Sequence, residues 1–167
     1  MEYLDVYDLS GEKTGRTVLR SSDFSDFDKD DRLLLVHVCV FNSNHELLMQ
    51  RRQLTKDRYP GIWDVSAGGF VVSGETSRQA VKRELREEIG IEISDDEIEL
   101  VHREPFGIVF DDFYMVHRDQ DISQLEYQKD EVMDLAWGSR ATVLSRLRDG
   151  TFVDYPEELL KRMFEAD

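Results

Sequence analysis

A single cysteine, Cys39, stands in 167 residues. It excludes an internal disulfide framework and any cysteine-rich zinc site. No apolar run approaches the roughly 18–20 residues of a membrane span. The opening MEYLDVYDLSGEK has neither a basic nor an apolar leader segment, so a cytoplasmic protein with no membrane partner is expected. Positive charge is scarce: 21 Lys and Arg face 36 Asp and Glu, a net charge of −15. That balance argues against nucleic acid as a partner, because a polyphosphate backbone calls for a basic footprint. It leaves room for a small phosphorylated ligand, which needs only a local basic patch or metal ions. Repeats, low-complexity segments and Pro/Gly/Ser linkers are absent too, and the length suits one domain over 1–167.

What is present is enough for a core, with 40% hydrophobic and 10% aromatic residues. YLDVYD alternates as a short strand, SGEKTG reads as a turn, and 21–31 as an acidic surface loop. LLLVHVCVF (33–41) is a continuous apolar, β-branched run, as in a strand covered on both faces. NSNH turns it into ELLMQRR (46–52), which makes a hairpin. Residues 97–117 alternate as two or three strands with Asp111-Asp112 as the turn, and 131–138 is a further strand. TVLSRLRDG (142–150) and PEELLKRMF (156–164) read as helices, the latter with Pro156 in its first turn. Strands and helices interleave irregularly, which predicts an α+β fold with helices packed on a mixed sheet.

The most regular segment is TSRQAVKRELREEIG (76–90). Thr76 and Gln79 have capping-box spacing, and Gly90 stands where a helix ends. Glu84, Glu87 and Glu88, at i, i+3 and i+4, fall within one arc, beside the arc of Val81, Leu85 and Ile89. Like charges so placed repel. A hard divalent cation such as Mg²⁺ would compensate them. A solvated acidic face paired with Lys82, Arg83 or Arg86 would do so as well, and the three glutamates alone leave both readings open.

The residues around them are more specific. Gly69, five residues, Glu75, seven residues, Arg83-Glu84-Leu85, one residue, Glu87-Glu88, one residue, Gly90-Ile91 is similar to the signature of the Nudix hydrolases at every fixed position. Seven fixed residues, each expected about one time in fifteen, match by chance on the order of 10⁻⁸ per start. The resemblance implies an α/β/α sandwich with a catalytic loop–helix–loop. It implies an enzyme that uses Mg²⁺ or Mn²⁺ to hydrolyse a nucleoside diphosphate linked to another moiety. Carried over, Glu84, Glu87 and Glu88 are metal-binding glutamates, and Arg83 and Glu75 hold the loop–helix–loop in shape. Gly69, or its neighbour Gly68, lends a carbonyl to the metal. Glu131, just before a strand, is a candidate fourth carboxylate. A monomer and a homodimer are both compatible with the sequence.

The stretch FNSNHELLMQRR…KDRYPGIWDVSAGG also resembles isopentenyl-diphosphate isomerases of the same superfamily. That likeness implies diphosphate binding by Arg52 and Lys56, and Arg51, in the same basic cluster with Arg58, is a further candidate diphosphate ligand. A diphosphate is well served by an arginine fork and a lysine point charge. The isomerase chemistry does not carry over: its acid–base cysteine falls at Gly68, a histidine at Phe70, and a metal-binding histidine at Leu33. Cys39 and His37, inside an apolar strand, are expected to be a buried hydrophobe and a hydrogen-bonded core residue. Trp63 is expected to pack beneath the loop. Residues 20–31, 53–62 and 118–131 are the loops expected to read the substrate.

Overall fold

A computed structural model describes residues 2–20, 24 and 27–167; part of the expected acidic loop, at 21–23 and 25–26, lies outside the described residues. The chain runs β1 (Tyr3–Tyr7), β2 (Lys13–Leu19), β3 (Leu33–Phe41), β4 (Leu47–Arg52), β5 (Trp63–Asp64) and β6 (Ala67–Phe70). It continues through α1 (Ser77–Ile89), β7 (Glu99–Phe106), β8 (Val109–His117), β9 (Val132–Gly138), α2 (Arg140–Arg148) and α3 (Glu157–Ala166). β1 and β2 form a separate antiparallel pair, so the expected turn closes by Glu12 and the chain pairs again from Lys13.

β3 is the axis of the fold. It pairs in parallel with β8 along its whole length and antiparallel with β6. With β4 it shares only the pair Phe41↔Leu47 beside the turn. The expected hairpin therefore splays, and β4 takes β5 and β9 as its neighbours. Ser66, fully buried, holds the fork open: its hydroxyl donates to the Leu48 carbonyl at 2.5 Å and accepts from the Val40 N–H at 2.8 Å. A buried backbone group torn from a ladder needs such a substitute partner.

Each face of the sheet has its own core. On one, Val81, Leu85 and Ile89 of α1 pack with Val36, Val38, Val40 and Leu48. On the other, Val143, Leu144, Leu159, Leu160 and Met163 of α2 and α3 pack with Cys39, Phe41, Leu47 and Met49. This is the α/β/α arrangement with a mixed sheet. The alternation along β3 and β4, inward on both sides, is what a strand covered twice must show. Trp63 joins the second core under the Arg146 guanidinium, 5.0 Å from its ring centroid.

One expected turn is a strand. The β7–β8 reversal falls at Gly107, with φ at +58°, while Asp111 and Asp112 lie within β8. Both acids have partners that pay for the strand: His37 Nε2 is 3.1 Å from Asp111, and Arg103 donates twice to the fully buried Asp112, at 2.5 and 2.8 Å. Among the described residues no helix is long and apolar enough to cross a membrane.

Candidate active site

α1 begins and ends where its caps dictate. Thr76 accepts the Gln79 N–H, Gln79 returns a bond to the Thr76 N–H, and Gly90 closes the helix at φ +72°. A side chain on Gly90 would be strained, and its Cβ would come within 2.5 Å of the Glu126 carbonyl oxygen. The helix thus fixes the glutamates with its buried arc against β6 and β3.

The glutamates do not share one environment. Glu84 is buried and takes Arg83 Nη1 at 2.6 Å. Arg83 in turn makes paired bonds to Glu75, both at 3.0 Å, and reaches the Phe70 carbonyl at 2.9 Å. Burial opposes the Arg83 charge, but Glu75 and Glu84 outweigh it and hold the guanidinium protonated. Burial also raises the Glu84 carboxyl, against the pull of Arg83. Among the described residues Glu88 accepts only neutral donors, Gln50 Nε2 at 2.7 Å and the Gly68 N–H at 3.2 Å. Burial first, and then the neighbouring Glu84 charge, push its carboxyl up to about 8. Glu87 is half-exposed and leans toward Arg83 and Arg86, at 3.6 and 3.7 Å.

Among the described residues no three His, Cys, Asp or Glu side chains converge on a metal-sized point. Glu84 and Glu88 still fit a hard divalent ion. Mg²⁺ commonly takes one or two carboxylates, with substrate phosphates and waters completing its shell. Gly69 makes the room, since a Cβ there would lie 2.0 Å from Glu84 Oε1. The expected third ligand, Glu87, stands apart from the pair. Glu131 is turned to the Lys56 ammonium, with which it forms an ion pair.

The basic residues divide by strand alternation. Gln50 and Arg52 share the face of Leu48, which belongs to the α1 core, whereas Arg51 follows Met49 to the other face and donates to the Gly61 carbonyl at 2.9 Å. Arg52 donates to Asp64 at 3.2 Å and to the Arg58 carbonyl at 3.1 Å. Burial, followed by the Arg52 charge, lowers the Lys56 ammonium from its usual range. The loops 53–62 and 118–131 are stitched together, Gln53 N–H to the Glu131 carbonyl and Gln53 Nε2 to the Lys129 carbonyl, both at 2.9 Å. Gln128 N–H caps the Glu88 carbonyl at 3.0 Å, which brings the second loop against the end of α1.

Gln50, Asp64 and Tyr155 were not legible as site residues. For Gln50 a signal existed: a polar residue at the alternation of Leu48 and Arg52 must face something that hydrogen-bonds it.

The Nudix domain family model matches residues 31–156. This chain belongs to the Nudix family. A Nudix hydrolase of Listeria monocytogenes is 35% identical over 155 residues, which cover 93% of this chain and 90% of the relative. An isopentenyl-diphosphate Delta-isomerase of Klebsiella pneumoniae is 40% identical over 126 residues, 71% of this chain and 67% of that one. The crystal structure of DR0079 from Deinococcus radiodurans superposes with a TM-score of 0.78 at 27% identity, covering 96% of this chain and 98% of that chain. The NUDIX domain of Shewanella oneidensis NrtR, complexed with ADP ribose, shares the fold at a TM-score of 0.63 and 20% identity, over 87% and 94% of the two chains. The Nudix protein described here is a hydrolase of phosphoric anhydride bonds with isomerase-like relatives.

Proposed function

We propose that this Nudix hydrolase uses Mg²⁺ or Mn²⁺ to cleave a nucleoside diphosphate linked to another moiety, by attack of an activated water on phosphorus. The observation that carries the reading is a pair of neighbouring carboxylates, the buried Glu84 and the partly buried Glu88, packed against Gly68 and Gly69 with Arg52 and Lys56 nearby in the same chain. Like charges held this close in a partly dry site are costly unless a cation joins them.

Glu84 and Glu88 would hold the ion, with a glycine carbonyl of 68–69 beside them; Glu87 would reach it only by leaving Arg83. When bound, the cation neutralises phosphate charge and lowers the pKa of a coordinated water. Arg83 orients Glu84 and favours its charged form against burial, and Glu75 keeps Arg83 in place. Arg52 and Lys56 hold the diphosphate, which displaces Glu131 as the partner of Lys56. The reaction adds one water across a P–O–P bond and yields two phosphate products. Arg51, on the opposite face, serves the 53–62 loop rather than the substrate.

The isomerase reading lacks its acid. Gly68 occupies that position, and Cys39 is fully buried in β3 with its thiol pushed far up by burial. A product-identified screen with Mg²⁺ tests the assignment, covering ADP-ribose, nucleotide sugars, dinucleotides, coenzyme-A derivatives, nucleoside diphosphates and isopentenyl diphosphate. Cleavage of an anhydride in one nucleotide class is expected. Isomerisation of isopentenyl diphosphate without any hydrolysis would overturn it.

A further inference from the structure

A partly buried hydrogen-bonded chain outside the signature ends on Arg52. Asp64, only 8% exposed, uses Oδ2 for Arg52 Nη1 at 3.2 Å. Its Oδ1 is taken by the Val65 N–H at 2.8 Å and by the Tyr155 hydroxyl at 2.7 Å. The Tyr155 oxygen also lies 3.1 Å from His37 Nδ1, and His37 Nε2 lies 3.1 Å from Asp111. The His37 ring stacks on Phe113 at 4.6 Å and meets the edge of Tyr155 at 5.3 Å. The ring positions are therefore set by packing as well as by hydrogen bonds.

The segment that carries Tyr155 is itself anchored to β5. Trp63 N–H donates to the Thr151 carbonyl at 3.0 Å, and Val153 N–H to the Trp63 carbonyl at 2.8 Å. Burial and the adjacent Asp64 charge hold the phenol well above its ordinary range, so its hydroxyl stays a donor. With Oδ1 committed, Oδ2 is the oxygen left to Arg52. Arg52 Nε is committed to the Arg58 carbonyl. Among the described residues Nη2 has no hydrogen-bond partner, and it is the group available to an anion.

We propose that Tyr155, acting through Asp64, is a positioning residue that fixes the Arg52 guanidinium in the orientation that receives the substrate diphosphate. The inference rests on the reading of Arg52 as a diphosphate ligand. A flexible arginine loses rotamer freedom on binding; holding it in place beforehand removes that cost from the binding step.

Tyr155→Phe deletes only the hydroxyl. The full-length protein, as wild type, Arg52→Ala, Tyr155→Phe and the double variant, would be titrated with methylenediphosphonate in Mg²⁺ by calorimetry. Arg52→Ala should weaken binding by about 10- to 100-fold, as for loss of a charged hydrogen bond. Tyr155→Phe should weaken it by roughly 3- to 10-fold. It should raise KM for the substrate while kcat stays within about twofold of wild type, and it should add nothing in the Arg52→Ala background. Wild-type affinity in Tyr155→Phe, or an equal further loss in the double variant, overturns the proposal. Asp64→Asn, of the same size, gives the same reading should Tyr155→Phe fail to fold by circular dichroism. Wild-type affinity in Arg52→Ala overturns the diphosphate role of Arg52 itself, and the role of Tyr155 falls with it.

Discussion

Two carboxylates in this molecule, the fully buried Asp112 and the partly buried Glu88, are treated in opposite ways. Asp112, in β8, is fully buried and gripped twice by Arg103. Glu88, at the end of α1, has the Gln50 amide and the Gly68 N–H as its donors and lies beside Glu84. The first charge is neutralised by the chain and belongs to the architecture. The second has no ion pair among the described residues, and its compensation must come from a lost charge or from an added cation. That difference in pairing separates an acid of the architecture from one that belongs to the proposed metal site.

The largest expected effect breaks the second of these sites. Glu88→Gln should lower turnover by at least about 10²-fold, as when metal-assisted electrostatics are lost, with the fold intact. Steady-state kinetics with circular dichroism check it, and near-normal activity would remove Glu88 from the metal site. The matching break at the first site acts on stability. Arg103→Met leaves Asp112 buried without its cation and should cost about 3 kcal/mol. At ~2–4 °C per kcal/mol for a chain of this size, the melting temperature should fall by roughly 6–12 °C. An unchanged melting temperature would show that Asp112 is not held by Arg103.

Metal addition sharpens the contrast. At about 100 times its dissociation constant, Mg²⁺ should stabilise the native protein by about 2.7 kcal/mol. The shift should vanish in Glu88→Gln and persist, from a lower baseline, in Arg103→Met. Equal shifts in both variants would place the ion elsewhere.

The last expected effect is a pH dependence in metal-free protein. Glu88 has a folded value of about 8 against an ordinary 4.5. Below the ordinary value both folded and unfolded chains carry the proton. Between the two values the unfolded chain releases it while the folded chain keeps it, so this group's contribution falls as pH rises and is fully lost above about 8. Glu88→Gln should therefore stabilise the metal-free protein most above pH 8 and not at all below pH 4.5. Melting curves across that range check the sign, and a gain confined to acid pH would contradict it.

The helix was legible because its information is local. Thr76, Gln79 and Gly90 cap it within their own neighbourhood, and the spacing of Val81, Leu85 and Ile89 states which face is buried. Arg83 and Glu75, at fixed offsets, close the same loop on themselves. The reading failed where one segment's role depends on another far along the chain. Asp111 and Asp112 look like a turn until His37 and Arg103 are seen to pair with them within the sheet. The β3–β4 hairpin looks continuous until Ser66 is found holding its strands apart.

The sequence by itself determined the family, the acidic helix with its caps, and the residue types on which the proposed ion and diphosphate sites rest, because spacing along one helix and one loop carries them. Only the tertiary structure decided that Glu84 and Glu88 lie side by side while Glu87 leans toward Arg83 and Arg86, that Arg51 turns to the face opposite Gln50, and that Asp64 joins Arg52 to Tyr155. Which carboxylate is desolvated, and which charge is answered by the chain, depends on strands brought together from distant positions, and no local pattern encodes those distances.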